Sequence, residues 1–116
     1  IAQYRPEQVE SFYLPPKEVV SLAKRKACPT IAYTYTEPVV FYEYMYDTAK
    51  LARSEGIGSV MISNGFINEE PLIKLCKQLT GVKVDLKAFT ENFYKDYCSG
   101  ELKPVLDTLK TLKKVK

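Results

Sequence analysis

The sequence predicts an α/β fold made of consecutive βα units with parallel strands. Three short runs rich in β-branched residues are separated by stretches of helical periodicity, which is the alternation typical of parallel sheets. Each run ends at a small cluster of polar residues. Because the carboxyl ends of parallel strands share one rim, we expect the side chains of the three clusters to converge on a single site.

The first unit begins with a helix. Residues 1–12 have no dependable period and are predicted to be extended or loop. Pro15-Pro16 is predicted to start a helix that runs to about Lys26, because proline is favoured in the first helical turn. The first strand is predicted over Thr30–Tyr35, and the polar cluster Thr36-Glu37-Pro38 follows it. The apolar side of the helix would be formed by Val19, Val20, Leu22 and Ala23.

The second unit repeats this order. Pro38 lies where the first helical turn tolerates proline, so a helix is predicted from Pro38 to Ser54, with Gly56 near its C-cap. The second strand is predicted over Ser59–Ser63, and its polar cluster is Ser63-Asn64-Gly65. The helix would face the sheet with Phe41, Met45, Thr48 and Ala52.

The third unit is followed by two further helices. Asn68 is predicted to cap a helix that ends near Gly81. The third strand is predicted over Val82–Lys87, with Asp85-Leu86-Lys87 at its end, and a short helix over about Thr90–Tyr97 comes next. The last helix would bury a stripe formed by Leu102, Val105, Leu109 and Leu112.

The composition fits one small domain spanning residues 1–116. With 46% apolar residues, the chain can bury a core. Its net charge of +3 is too small to indicate a nucleic-acid partner. No apolar run approaches the roughly 20 residues that cross a bilayer. We therefore expect a cytoplasmic protein that binds neither nucleic acid nor a membrane.

The residue types limit the chemistry that the chain can perform. It has no His, which removes the commonest general base and every Ser-His or Cys-His mechanism. Its three cysteines, Cys28, Cys76 and Cys98, are far apart, and no CxxxCxxC motif is present. We predict that they are reduced thiols of a cytosolic protein. Any chemistry must then use carboxylates, Lys, Tyr or an imported cofactor.

The third predicted strand has a clean alternation. Lys83, Asp85 and Lys87 share one face and Val84 and Leu86 share the other, because strand side chains have period two. In a barrel-type fold with helices outside, the polar set would point inward. An inward Asp and Lys can hold an anionic group and a cation together, and the alternative is an ordinary ion pair that fills the barrel interior.

The other two clusters also allow two interpretations each. Glu37 could accept a ligand ammonium or hydroxyl, or could serve only the dipole of the following helix, a role that contributes about 0.3–1 kcal/mol. Ser63 and Asn64 could bind ligand oxygens, or could serve only the turn chemistry that an Asn-Gly pair favours.

Taken together, these residues resemble the radical S-adenosylmethionine (SAM) superfamily. The resemblance is to pyruvate formate-lyase activating enzyme-like proteins, in particular the radical SAM proteins of the AmmeMemoRadiSam system. The motifs that carry it are Ile31–Pro38, Ser63–Phe66 and Val84–Lys87, which fall in the family's order and spacing. The similarity continues through Tyr94–Val105 and so covers nearly the whole chain.

The resemblance implies the central part of a partial (β/α) TIM-like barrel, which holds SAM and a [4Fe–4S] cluster in the full-length protein. Tyr35-Thr36-Glu37 takes the place of the family's Gly-Gly-Glu motif, which binds the SAM ammonium. Ser63 falls near the ribose, with Asn64 beside it as a further cofactor-binding residue. Ser63 and Asp85 would also meet a monovalent cation, and Lys87 would pair with the SAM carboxylate.

The implied reaction is a reductive cleavage of SAM. The cluster supplies the electron, cleavage yields a deoxyadenosyl radical, and the protein orients the radical toward a substrate hydrogen. Glycyl-radical activation, with a protein substrate such as a glycyl radical enzyme, is one type within the family.

The chain also departs from the family pattern. The cluster loop CxxxCxxC is absent and is expected before Ile1, and later barrel strands are expected beyond Lys116. Ile62 stands where activating enzymes can carry an acidic ribose contact, and Tyr35-Thr36 replaces two glycines. We therefore expect that these 116 residues alone bind neither cofactor and catalyse nothing.

Two other classes of function are consistent with the sequence. A Schiff-base-forming lyase on a (β/α) barrel would use Lys87 as nucleophile, with Asp85 or Tyr33 handling protons. A non-catalytic α/β module would bind a nucleotide or a partner. The polar groups at three successive strand ends favour an enzyme over such a module.

Overall fold

The structure, a computed structural model, describes residues 13–115. The extended segment predicted for residues 1–12 lies outside the described residues. Helices and strands alternate in the predicted order, and two helices follow the third strand. In chain order the elements are α1 (Pro16–Arg25), β1 (Thr30–Tyr33), a 3-10 turn (Pro38–Phe41), α2 (Tyr42–Ser54), β2 (Gly58–Ser63), α3 (Glu69–Cys76), β3 (Gly81–Val84), α4 (Glu91–Tyr97) and α5 (Leu102–Val115).

The three strands form one parallel sheet in the order β1-β2-β3. Tyr33 at the end of β1 lies beside Met61 of β2, and Ser63 at the end of β2 lies beside Val84 at the end of β3. The loops that follow the strands therefore lie along one rim of the sheet. This arrangement confirms the predicted α/β fold of consecutive βα units, and it is consistent with part of a (β/α) barrel.

Helices α2 and α3 cover one face of the sheet. Tyr33 and Met61 project from the sheet into a core that they share with Met45 of α2 and Leu72 of α3. All four side chains are buried. Their burial removes apolar area from water, which stabilises the packing of the helices on this face. A second apolar cluster, which packs α1 against α2, is formed by Val20, Ala23, Ala52 and Ile57.

Among the described residues, no helix covers the opposite face of the sheet. Ala32 and Lys83 are exposed there, and Val60 and Ile62 are half-buried. In a (β/α) barrel this is the face that closes inward. The face is therefore the one on which the polar residues of the third strand were expected.

Two strands are shorter than predicted. The first ends at Tyr33 rather than Tyr35, because Tyr35 leaves the extended region with a φ of 38°. The third ends at Val84 rather than Lys87, because Val84 already lies beside Ser63, the last residue of β2. The polar clusters after these strands therefore lie in loops at the rim.

The helix predicted from Pro38 to Ser54 begins as a 3-10 turn and becomes α-helical at Tyr42. The Val40 N–H bonds back only three residues, to the Glu37 carbonyl, which is the spacing of a 3-10 turn. The predicted stripe on this helix is otherwise confirmed, with Met45, Thr48 and Ala52 buried and Phe41 half-buried.

Three helix predictions differ from the structure in detail. Asn68 occupies the N-cap position of α3, but its side chain makes no capping hydrogen bond. The helix ends at Cys76 rather than near Gly81, because a tighter last turn brings Leu79 into the core before sheet pairing resumes at Thr80. In α5 the buried residues are Leu102, Val105, Thr108 and Thr111, whereas Leu109 and Leu112 are half-buried.

No helix within residues 13–115 is long and apolar enough to cross a membrane. The cysteines differ in burial: Cys28 and Cys98 are exposed free thiols, and Cys76 is buried between α3 and the sheet.

Candidate functional site

The carboxylate of Glu37 is the centre of the site. Its Oε2 accepts hydrogen bonds from the Ser63 hydroxyl at 2.8 Å and from the Val39 N–H at 3.0 Å. Its Oε1 accepts the Asn64 N–H at 2.6 Å. The carboxylate thus joins the loop after β1 to the loop after β2.

This position follows from the local sequence. Glu37 is the N-cap of the Pro38–Phe41 turn, and its extended backbone turns the side chain back onto the first N–H groups. A carboxylate offers about four lone-pair sites, of which three are used by Val39, Ser63 and Asn64. One site on Oε1 remains for a donor from a ligand. Both interpretations of Glu37, helix cap and ligand acceptor, are therefore compatible with its contacts.

Ser63 lies on the helix-covered side of the sheet. It is only 2% exposed, and its hydroxyl donates to Glu37 and accepts the Gly65 N–H at 3.0 Å. Its hydrogen-bonding capacity is therefore used largely within the protein. The consequence is that Ser63 holds Glu37 in one orientation.

Asn64 is exposed at the rim. Its side-chain oxygen accepts the Phe66 N–H at 2.9 Å, which closes a small turn of the kind that Asn favours. The two donors of its side-chain amide stay available for a ligand. Gly65 follows with a φ of 79°, a conformation that suits glycine.

Lys83, Asp85 and Lys87 form a second cluster on the uncovered face. The Lys83 ammonium contacts Asp85 Oδ1 at 2.6 Å, and the Lys87 ammonium lies 3.8 Å from Asp85 Oδ2. The hydrogen bond from Lys83, and then the charges of Lys83 and Lys87, hold the Asp85 pKa below its ordinary value. All three side chains are at least one-third exposed, so this is not an ion pair sealed in an interior.

The two clusters meet through the backbone. The Asp85 N–H donates to the Ser63 carbonyl at 2.9 Å. Their side chains nevertheless point to opposite sides, because Ser63 shares its side with Val84, the neighbour of Asp85 in the chain. The structure thus brings Glu37, Ser63 and Asn64 into one hydrogen-bonded group and places Asp85 and Lys87 on the uncovered face. The side chains of the three clusters therefore form two groups and not the single convergent group that was predicted.

Tyr35 and Thr36 lie at the same rim and are exposed. The φ of Tyr35 is 38°, in the left-handed region that favours glycine, and its peptide bond to Thr36 is cis. A glycine at this position would adopt the same φ with less steric cost.

An open groove of about 640 Å³ lies at the loops after β2 and β3. Asn64 and Lys87 line it together with the exposed aromatic rings of Phe66, Phe93 and Tyr97. The Phe93 and Tyr97 rings are 5.0 Å apart between centroids, so they form a continuous apolar wall.

The sequence of nearly the whole chain, residues 3–116, matches the Radical SAM superfamily. The chain belongs to this superfamily. It is also 44% identical over 115 residues to the uncharacterized protein MJ0808 of Methanocaldococcus jannaschii. That match covers 99% of this chain and 34% of the relative, so the chain spans about a third of the relative's length. The resemblance is confirmed at the level of the superfamily, and the activating-enzyme branch stays a prediction.

Radical SAM proteins usually use SAM and a [4Fe–4S] cluster. Within residues 13–115, no three or more His, Cys, Asp or Glu side chains are grouped so as to hold a metal ion. Cys28 follows α1, Cys76 is in the core and Cys98 ends α4. The described part of the chain therefore does not fit the iron–sulfur cluster. Its rim carries the carboxylate of Glu37 and the ammonium of Lys87.

Tyr33, a candidate proton carrier in the lyase alternative, lies on the other side of the sheet. Its hydroxyl is 3.2 Å from the Ser59 hydroxyl inside the core, and burial raises the Tyr33 pKa above its ordinary value. This placement does not favour proton transfer beside Lys87, on the uncovered face.

Three side chains that shape the site were missed in the sequence. The buried Thr108 donates to the Gly65 carbonyl at 2.6 Å, and Tyr94 accepts the Lys87 N–H at 3.1 Å. The Glu91 carboxylate accepts the Leu102 and Lys103 N–H groups and so caps α5. Thr108 lies outside the apolar stripe predicted for α5, so that stripe gave no signal for its buried polar contact.

Proposed function

We propose that this chain is the central part of a partial (β/α) barrel in a radical SAM enzyme of the glycyl-radical-activating type. Membership of the superfamily and the parallel βα units support the general class. The activating type rests on the motifs at the three strand ends. The [4Fe–4S] cluster would be held by residues of the full-length protein outside these 116, because the 116 residues have no CxxxCxxC motif.

Glu37 is proposed to accept a hydrogen bond from the SAM ammonium. The observation that carries this role is the fixed carboxylate, which three donors hold while one lone-pair site on Oε1 stays open. A preoriented carboxylate binds an ammonium with little loss of side-chain entropy. Tyr35 and Thr36 would approach the same end of SAM from the exposed rim.

Lys87 is proposed to pair with the SAM carboxylate. Its N–H is held by the buried Tyr94, which fixes the backbone from which the side chain extends. Its ammonium lies 3.8 Å from Asp85 Oδ2, too far for a close hydrogen bond, so it can turn to a ligand anion. Glu37 and Lys87 together supply the acceptor and the cation that a zwitterionic amino acid requires.

The ribose contact is proposed to fall to Asn64 more than to Ser63. The Asn64 side chain is exposed and retains two amide donors, whereas Ser63 is buried and bonded to Glu37 and Gly65. Ser63 would act on SAM indirectly, by orienting Glu37.

When bound together, SAM and the cluster supply a deoxyadenosyl radical on one-electron reduction. The residues of this chain bind and orient the amino-acid end of SAM. Substrate is proposed to be a polypeptide, such as a glycyl radical enzyme. The aromatic groove beside Asn64 and Lys87 supports this, because exposed aromatic patches are typical of protein-binding surfaces.

The test uses the full-length protein after anaerobic iron–sulfur reconstitution. With a one-electron reductant and SAM, we expect formation of 5′-deoxyadenosine and methionine, measured by chromatography. The variant Glu37→Gln should lower the yield strongly, whereas Glu43→Gln, an exposed Glu in the first turn of α2, should not. If a protein with a full iron–sulfur cluster failed to cleave SAM, that result would contradict the proposal.

The polypeptide substrate needs a separate experiment. A candidate glycyl radical enzyme is incubated with the reduced, SAM-loaded protein, and its glycyl radical is measured by electron paramagnetic resonance. SAM cleavage without any glycyl radical would leave the superfamily assignment intact and would contradict the activating type.

A further inference from the structure

We propose that the ammonium of Lys83 supplies, next to Asp85, the positive charge that a monovalent cation was expected to supply. SAM binding by this protein would then need no monovalent metal ion. The inference rests on the proposed function, because the ligand of the site is taken to be SAM.

Lys83 is the partner that Asp85 contacts most closely. The Lys83 ammonium is 2.6 Å from Oδ1, and the two residues lie on the same face because they are two positions apart in an extended segment. The Asp85 backbone is fixed at the same time, through its N–H bond to the Ser63 carbonyl. The carboxylate is therefore held at both its side chain and its backbone.

The two predicted cation ligands do not converge. Hard cations are bound by several oxygen atoms that point to one centre. The Ser63 hydroxyl is buried on the helix-covered side, where it donates to Glu37. The Asp85 carboxylate projects from the uncovered face, where Lys83 already occupies Oδ1. An ammonium thus occupies one oxygen of Asp85, and the other oxygen faces the Lys87 ammonium.

The placement of Lys83 has a consequence for Lys87. With Oδ1 bonded to Lys83, the carboxylate turns Oδ2 toward Lys87, at 3.8 Å. The cluster has two ammonium groups and one carboxylate, so it keeps one net positive charge for an anion. Lys83 is therefore a positioning residue: it holds Asp85, and Asp85 steers the Lys87 ammonium that would meet the SAM carboxylate.

The experiment measures SAM binding by the full-length protein with calorimetry, without turnover. Titrations are run at one ionic strength in potassium, sodium or tetramethylammonium chloride, the last of which is too large to enter a metal site. The variants are Lys83→Met and, as the control, Lys103→Met. Methionine keeps a long unbranched side chain but removes the charge. Lys103 pairs with Asp107 on α5 at 2.8 Å, so the control also breaks an exposed Lys–Asp pair.

For the unchanged protein we expect Kd values within about twofold across the three salts, because the charge is built in. Lys83→Met should weaken SAM binding by about tenfold in all three salts, because Ser63 and Asp85 do not converge on a metal ion that could replace the ammonium. Lys103→Met should behave like the unchanged protein. Circular dichroism should show both variants folded, since both lysines are exposed.

Different outcomes overturn different claims. Tight binding by the unchanged protein only in potassium or sodium would overturn the role of Lys83 and leave the proposed function standing. If Lys83→Met bound SAM as tightly as the unchanged protein in all three salts, the role of Lys83 would also be overturned. Failure of the unchanged protein to bind SAM in any salt would instead overturn the proposed function.

Discussion

The hydroxyl of Ser63 donates a hydrogen bond to the Glu37 carboxylate at 2.8 Å, across 26 residues of sequence. Ser63 ends β2, and Glu37 begins the turn after β1. The contact therefore ties two neighbouring strand ends together at the rim. It also explains why Glu37 has a defined orientation before any ligand binds.

The first prediction concerns this contact. Ser63→Ala should lower the free energy of unfolding by about 1.5–3 kcal/mol, because the hydroxyl bonds to a charged acceptor and also accepts the Gly65 N–H. The measurement is equilibrium unfolding in urea. Ser54→Ala is the control: that exposed hydroxyl bonds only to the Leu51 carbonyl, and its loss should cost less than about 1 kcal/mol. Equal effects of the two variants would contradict the account.

The second prediction concerns Gly65. Its φ is 79°, and an added Cβ would lie 2.8 Å from Cγ1 of Val84, a strand side chain that cannot swing away. Gly65→Ala should therefore destabilise the protein by about 2–4 kcal/mol, from the left-handed backbone and the overlap together.

Gly56→Ala separates these two causes. Gly56 has a φ of 76° with open space around it, so its replacement should cost only the backbone part, about 1–2 kcal/mol. Thermal and urea unfolding of both variants give the comparison. If Gly65→Ala cost no more than Gly56→Ala, the close approach of Val84 would not limit the loop.

The parts of the fold that follow from local patterns were predictable. The second strand was placed within one residue of Gly58–Ser63, and the faces of Lys83 and Met45 follow from the strand and helix periods. The strand ends were harder to predict from the sequence. Whether β3 continues past Val84 depends on where its partner β2 stops, and one strand's sequence does not carry that information.

The site was predictable as a set of residues and not as a set of contacts. Glu37, Ser63 and Asn64 were recognised from their position after strands, but their shared hydrogen bonds join residues 26 and 27 positions apart. Thr108 lies 43 positions from the carbonyl that it contacts. Periodicity predicts which face of an element is buried. It does not predict which polar group from a distant part of the sequence contacts that face.

The third prediction tests the role of Thr108. Thr108→Val keeps the shape and removes the donor, which leaves the Gly65 carbonyl without this bond, so stability should fall by about 1–3 kcal/mol. Thr111→Val is the matched control, since Thr111 is also buried on α5 but makes no side-chain hydrogen bond with the described residues. Urea unfolding should show little loss for Thr111→Val. A similar loss for both would mean that Thr108 acts through packing alone.

The fourth prediction is a pH dependence. Lys83 lowers the Asp85 pKa from its ordinary value of 3.8, so the folded protein keeps the carboxylate charged when the unfolded chain begins to bind a proton. The contribution of Asp85 to stability is present above that ordinary value and is lost as the pH falls through the lower folded pKa.

Carbon-detected NMR of the Asp85 carboxyl measures this titration. In Lys83→Met the Asp85 pKa should rise toward its ordinary value, because the largest cause of the shift is removed. Lys103→Met should leave Asp85 unchanged and should raise the pKa of Asp107. If the Asp85 pKa were the same in Lys83→Met as in the unchanged protein, the 2.6 Å contact would not be maintained in solution.

SAM binding by Glu37→Gln tests the central claim most directly. The full-length protein and its Glu37→Gln and Glu43→Gln variants are titrated with SAM in a calorimeter, after circular dichroism has verified that each is folded. Loss of a charge-assisted bond to the ammonium should weaken the Glu37→Gln complex by about tenfold or more, while Glu43→Gln binds as the unchanged protein does. Equal affinity in all three proteins would show that the carboxylate held by Ser63 and Asn64 is a helix cap and not part of a SAM site.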